Sequence, residues 1–120
     1  MIKEANVTVF VTNMEKAVRF YIDALGLKLK ARYGDQFAQV EAPGAIIALH
    51  PTSEKGLQPD RSGSMSIGFA VDNLDTSIEE LEKKGVVFSR ISDDVQVKLA
   101  LFTDPDGNPL YLSQSKWGSG

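Results

Sequence analysis

Residues 6–23, NVTVFVTNMEKAVRFYID, set above residues 66–83, SIGFAVDNLDTSIEELEK, show one plan written twice. At a constant offset Val7 meets Ile67, Val9 meets Phe69 and Val11 meets Val71. Asn13 meets Asn73, Met14 meets Leu74, Glu15 meets Asp75 and Val18 meets Ile78; with one residue dropped, Gly26 meets Gly85. A duplication of this kind governs the reading of everything else in a chain. Each copy opens on an alternating run. Val7, Val9 and Val11 point one way and Asn6, Thr8 and Phe10 the other, as in a strand; Ile67, Phe69 and Val71 do the same against Ser66, Gly68 and Ala70.

A helix follows each run. Asn13 and Asn73 are N-cap residues by type, since a short side-chain carbonyl accepts a free N–H of the first turn. Met14, Ala17, Val18, Tyr21 and Leu25 form a stripe at helical spacing, as do Leu74, Ile78 and Leu81. Gly26 and Gly85 stand where a left-handed residue ends a helix.

Three short strands are expected to complete each copy. In the first they are Leu27–Tyr33, Gln36–Glu41 and Ala45–His50, separated by turns at Gly34-Asp35 and Ala42-Pro43-Gly44. In the second they are Val86–Ile91, Gln96–Thr103 and Pro109–Gln114, the last two joined by the DPDGN turn at 104–108. The stretch PTSEKGLQPDRSGS, 51–64, is rich in Pro, Gly, Ser and charge and reads as a linker. The expected fold is therefore α+β: one domain over 1–120, with βαβββ modules at 4–50 and 65–114 joined by linker 51–64. Helices cover one face of mainly antiparallel strands. Two such modules can place their open faces together and enclose a cavity.

Composition narrows the function. A chain of 120 residues suits one domain or two half-domains, and a net charge of −3 with interspersed signs lacks the basic stripe of a nucleic-acid surface. There is no cysteine, which excludes disulfides, thiolate metal sites and a cysteine nucleophile and suits a reducing, cytoplasmic compartment. No signal peptide or membrane span is expected. Gly118, Ser119 and Gly120 read as a frayed tail.

The paired βαβββ pattern, the opening VTVFVTNMEKAVRFYIDALGLKL and the closing FTDPDGNPLYL resemble the vicinal oxygen chelate superfamily over residues 4–114. That group holds glyoxalase I, extradiol dioxygenases, fosfomycin-resistance enzymes and bleomycin-binding proteins. The resemblance implies a curved mixed sheet closed around a central site. It implies metal ligands (His, Gln or Glu) at inward positions of the first and last strand of each module, which here match Asn6, Ala48, Ser66 and Tyr111. In the closing motif, DPDGN and two residues are often followed by Glu; this chain has Tyr111. Alanine offers no ligand atom, serine and asparagine are weak neutral ligands, and a phenol is a poor substitute for a carboxylate. A catalytic divalent metal in such a site needs about three His or carboxylate ligands. The expectation is no metal and no cofactor at the family's site.

Single residues carry two readings each. His50, the only histidine, is a general base or ligand hydrogen-bonder at a cavity mouth, or a half-solvated strand-end residue beside Pro51, and the second carries more weight. Tyr111 donates to a ligand or fills a pocket as an aromatic, with lining favoured over catalysis. Asn6, Thr8 and Ser66 orient a polar ligand or hold trapped water. Phe10, Phe37 and Trp117 stack on a flat ligand or belong to the core, and Trp117 alternatively covers a dimer contact. Asp104 and Asp106 are a carboxylate pair or, more simply, turn caps. Glu79, Glu80, Glu82, Lys83 and Lys84 read as the solvated face of the second helix.

The first functional expectation is a metal-independent small-molecule binding protein of the glyoxalase/bleomycin-resistance type, sequestering an antibiotic or hydrophobic metabolite. Its ligand-binding residues are Asn6, Thr8, Phe10, Ala48, His50, Ser66 and Tyr111. The alternatives are a glyoxalase-like lyase or dioxygenase-related enzyme with a displaced or absent metal site, using His50 and Tyr111, and a structural or regulatory dimer without ligand. The resemblance also implies a homodimer, with exchange of modules through the 51–64 linker conceivable. The implied partner is a small molecule, with no nucleic acid and no membrane.

Overall fold

The alternation of Val7, Val9 and Val11 with Thr8 and Phe10 becomes strand β1 (Val7–Val11) in the computed structural model. The structure describes residues 1–52, 58–59, 65–93 and 97–115. Most of the 51–64 linker, Gln96 at the start of an expected strand, and Trp117 with the 118–120 tail lie outside the described residues. The chain divides into two compact units, Met1–Pro59 and Asp60–Gly120.

In the first unit β1 leads to helix α1 (Met14–Arg19), which runs into a π-helical turn at Phe20–Ala24; β2 (Lys28–Tyr33), β3 (Phe37–Ala42) and β4 (Ala45–Pro51) follow. The strands form a sheet in the order β1-β4-β3-β2, with β1 parallel to β4 and the other pairs antiparallel. The second unit repeats this with β5 (Ile67–Ala70), α2 (Leu74–Lys83), β6 (Arg90–Asp93), β7 (Val97–Thr103) and β8 (Pro109–Ser115). Its order is β5-β8-β7-β6, with β5 parallel to β8. The fold is α+β: two four-stranded mixed sheets and two helices, as the duplication requires.

Both asparagine caps form. Asn13 Oδ1 accepts the Lys16 N–H and Asn73 Oδ1 accepts the Thr76 N–H, each at 3.0 Å. Both glycine stops form too, with φ of 75° at Gly26 and 93° at Gly85, a region that costs an L side chain energy but suits glycine. The stretch from Asn13 to Gly26 is one residue longer than that from Asn73 to Gly85. The π-helical turn absorbs that residue: the Leu25 N–H donates to the Phe20 carbonyl, five residues back, at 3.0 Å.

The second helix stop explains one departure from expectation. The strand expected at Val86–Ile91 is β6, Arg90–Asp93. After α2 the Gly85 N–H donates to Glu82 O and the Val86 N–H to Leu81 O, both at 3.0 Å, the paired bonds of a Schellman stop. Val86 is thereby committed to the helix end and is buried with Leu81. Likewise Gln36, expected in β3, closes the preceding turn by donating to Tyr33 O at 3.0 Å.

The first unit's core lies between α1 and one sheet face. Val9, Val11, Ala38, Val40, Ile47 and Leu49 are buried with Met14, Ala17, Val18 and Tyr21. Full burial of each such aliphatic side chain contributes about 1.5–3 kcal/mol before entropy is counted. In the second unit Leu74, Ile78 and Leu81 of α2 are buried, as are Ala100, Phe102, Leu110 and Leu112. The charged run Glu79–Lys84 is exposed apart from Leu81. Among the described residues no helix is long and apolar enough to cross a membrane.

Candidate functional site

A strand shows every second side chain to the same face, so each sheet has one face toward its helix and one away from it. Contacts fix which is which. Arg32, register partner of Ala38, reaches Glu15 of α1 at 3.3 Å. Gln114, in phase with Leu110 and Leu112, accepts the Leu74 N–H at the start of α2 at 2.7 Å. Residues of the opposite parity make up the outer faces.

On the first sheet, strand pairing assembles a row of rings from positions far apart in sequence. Phe10 pairs with His50, and Tyr33 pairs with Phe37. Because Ala38 pairs with Leu49, the next step along β3 and β4 sets Phe37 beside His50. Phe10, His50, Phe37 and Tyr33 therefore cross all four strands at one level. Phe10 and His50 meet edge to face with centroids 5.8 Å apart, and Tyr33 stacks on Phe37 at 6.3 Å. Phe10, Phe37 and His50 are half-buried and Tyr33 is 66 % exposed, so the row keeps accessible ring surface. The adjoining row is Thr8, Ala48, Gln39 and Ala31, all small or neutral.

On the second sheet the corresponding levels differ. One is Ala70, Ser113, Leu99 and Ser92; the other is Gly68, Tyr111, Leu101 and Arg90. Tyr111 covers Gly68 so closely that a Cβ built on Gly68 overlaps the phenol ring. Ala48 and Tyr111 occupy the same place in their modules, since Thr8 pairs with Ala48 as Gly68 pairs with Tyr111.

The sequence-derived site residues are thus distributed over two faces. Thr8, Phe10, Ala48 and His50 come together on the first sheet, Ala48 buried and Thr8 exposed. Asn6 stands one residue ahead of β1 and is exposed. Ser66 stands one residue ahead of β5, exposed, with its hydroxyl donating to Pro109 O at 3.2 Å. Tyr111 is on the second sheet, half-buried. Two members of the outer face, Tyr33 and Gln39, are not among the candidate residues that the sequence marks. The signal for them is the same alternation that marks Phe37, carried across the Gly34-Asp35 turn.

Asp104 is a turn residue. Its carboxylate is buried and accepts the Asp106 N–H and Asn108 N–H at 2.9 Å and the Asn108 amide at 2.8 Å. Among the described residues no group of three or more His, Cys, Asp or Glu is arranged to hold a metal ion. At the four positions that the resemblance marks for ligands, the chain offers an amide, a methyl, a hydroxyl and a phenol. That donor set does not fit a catalytic divalent metal.

Comparison with known proteins agrees with this architecture. The "Uncharacterized protein YaeR" of Escherichia coli (strain K12) is 25 % identical over 118 residues, covering 89 % of this chain and 92 % of its own. The structure of TnmS3, an antibiotic binding protein from Streptomyces sp. CB03234, is 27 % identical with a TM-score of 0.71, covering 97 % of this chain and 99 % of that one. Lactoylglutathione lyase from Agrobacterium tumefaciens shares the fold at 15 % identity and a TM-score of 0.76, covering 98 % and 97 % of the two chains. The sequence profile of one superfamily matches residues 5–112, the span in which the duplication, both helix caps and the DPDGN turn fall. With that match over most of its length, the chain belongs to the Glyoxalase/Bleomycin resistance protein/Dioxygenase superfamily.

Proposed function

We propose that this chain is a small-molecule binding protein that holds a flat, largely apolar ligand without a catalytic metal. The observation that carries the reading is the row Phe10, His50, Phe37 and Tyr33 on the outer face of the first sheet, beside the small residues Thr8, Ala48 and Ala31. Rings offer stacking surface, and small neighbours leave room for a ligand to lie against the sheet. The similarity to TnmS3, an antibiotic binding protein, supports a binding role over a catalytic one and makes an antibiotic or hydrophobic metabolite a reasonable ligand class. The likeness to the lyase lies in the fold, and the donor-poor positions at Ala48 and Tyr111 give no support to its extension to chemistry.

The test combines metal content with binding. Protein purified without a histidine tag is analysed for zinc, nickel, manganese and iron, then titrated calorimetrically with a panel of fused aromatic compounds before and after chelator treatment. The reading expects saturable binding that the chelator leaves unchanged. Near-stoichiometric metal whose removal abolishes binding overturns it.

A further inference from the structure

His50 limits what the outer face of the first sheet accepts. Its Nδ1 lies 2.9 Å from the carbonyl oxygen of Pro51. A carbonyl oxygen can only accept, so Nδ1 is the nitrogen that carries the hydrogen. In the neutral imidazole the other nitrogen, Nε2, is then a lone-pair acceptor. Among the described residues nothing donates to Nε2, and no buried side-chain nitrogen lacks a partner, so this acceptor keeps access to its surroundings. The main chain holds the tautomer, so the neutral imidazole cannot turn Nε2 into a donor without giving up Pro51. Its neighbours in the row do not compensate, because the side chains of Phe10 and Phe37 have no polar atom.

We infer that His50 Nε2 is a specificity-determining contact, and that the ligand class is a planar aromatic carrying an O–H or N–H donor at its edge. A phenol or an indole fits; an aryl ether or a ring bearing only carbonyls does not. The inference rests on the proposed binding role of the same face and adds the polarity of the ligand's edge. A ligand stacked on Phe37 or Phe10 directs its rim along the sheet toward the neighbouring imidazole. A donor on that rim gains a hydrogen bond there, whereas an ether oxygen meets a lone pair.

The experiment compares 2-naphthol with 2-methoxynaphthalene, by ligand fluorescence, on the full chain. The two share one ring system, and the ether is the more apolar but lacks the donor. The expected result is saturable binding of both, with 2-naphthol about tenfold tighter. In His50→Phe, which keeps a ring and removes the acceptor, the preference vanishes through weaker naphthol binding. Circular dichroism checks that the variant folds; if it does not, the wild-type comparison decides alone. Equal or tighter binding of the ether by wild type overturns the inference and leaves the binding role standing. Saturable binding of neither compound overturns both.

Discussion

The phenol ring of Tyr111 lies on Gly68, its register partner on β5, in the space that a methyl group at Gly68 would need. The backbone of Gly68 does not occupy the left-handed region, so the ring and not the main chain excludes a side chain there. Replacing glycine by alanine at an ordinary strand position stabilises by a few tenths to about 1 kcal/mol through the unfolded state. Here Gly68→Ala must move the ring, and the expected result is a loss of about 1–2 kcal/mol. In a Tyr111→Ala background the same substitution should be neutral or stabilising. Urea unfolding of the two single variants and the double variant measures the coupling. A Gly68→Ala effect of the same sign and size in both backgrounds sinks the account.

The buried Asp104 carboxylate organises the turn between β7 and β8. It takes three N–H donors, at 2.9, 2.9 and 2.8 Å, from Asp106 and Asn108. Asp104→Ala leaves those donors without their acceptor in a buried turn and should cost about 2–4 kcal/mol. Asp104→Asn retains one acceptor oxygen for the backbone donors but turns an NH₂ toward the Asn108 amide, so its cost should fall between. Denaturant titration ranks the three proteins; an alanine variant as stable as wild type contradicts this role.

The extra residue in the first helix makes a different prediction. The π-helical turn Phe20–Ala24 is the length difference between the modules, and Asp23 within it is exposed. Deleting Asp23 should convert the turn to regular α-helix, matching α2, with a folded protein and a cooperative melt. Deleting Gln39 from the middle of β3 should abolish folding, because a one-residue slip exchanges the two faces of a strand. Circular dichroism during thermal unfolding separates these outcomes. An unfolded Asp23 deletion argues that the π-helical turn is required in its own right.

That contrast also explains what the sequence made legible. Local signals are decisive where one residue's own chemistry settles the backbone around it: Asn13 and Asn73 cap their helices, Gly26 and Gly85 end them through positive φ, and Asp104 braces its turn. The strand at Val86 misled because apolar character alone does not distinguish a strand residue from the buried residue that seals a Schellman stop. The ring row was not legible. Phe10 and His50 lie on strands far apart in sequence, and the β2–β3 hairpin brings Tyr33 and Phe37 to their level only once the pairing of β3 with β4 is fixed. The sequence marks Phe10, His50 and Phe37 one at a time and passes over Tyr33; only strand pairing shows that the four are neighbours.

The exposed end of that row gives the last prediction. Tyr33 stacks on Phe37 and is 66 % exposed, so it covers little of the core while offering a ring face. Tyr33→Ala removes one cross-strand aromatic pair, which is worth about 0.2–1 kcal/mol. Its effect on stability should stay within that range. Its effect on a flat ligand should be larger in proportion, a three- to tenfold loss of affinity, as expected for about 1 kcal/mol of lost stacking. Phe10→Ala at the other end should lower both affinity and stability, because Phe10 is half-buried and packs on His50 at 5.8 Å. Thermal melts paired with 2-naphthol titrations separate the two behaviours. If Tyr33→Ala binds as tightly as wild type while Phe10→Ala binds weakly, the ligand occupies only the β1–β4 end of the face and the row is not one continuous platform.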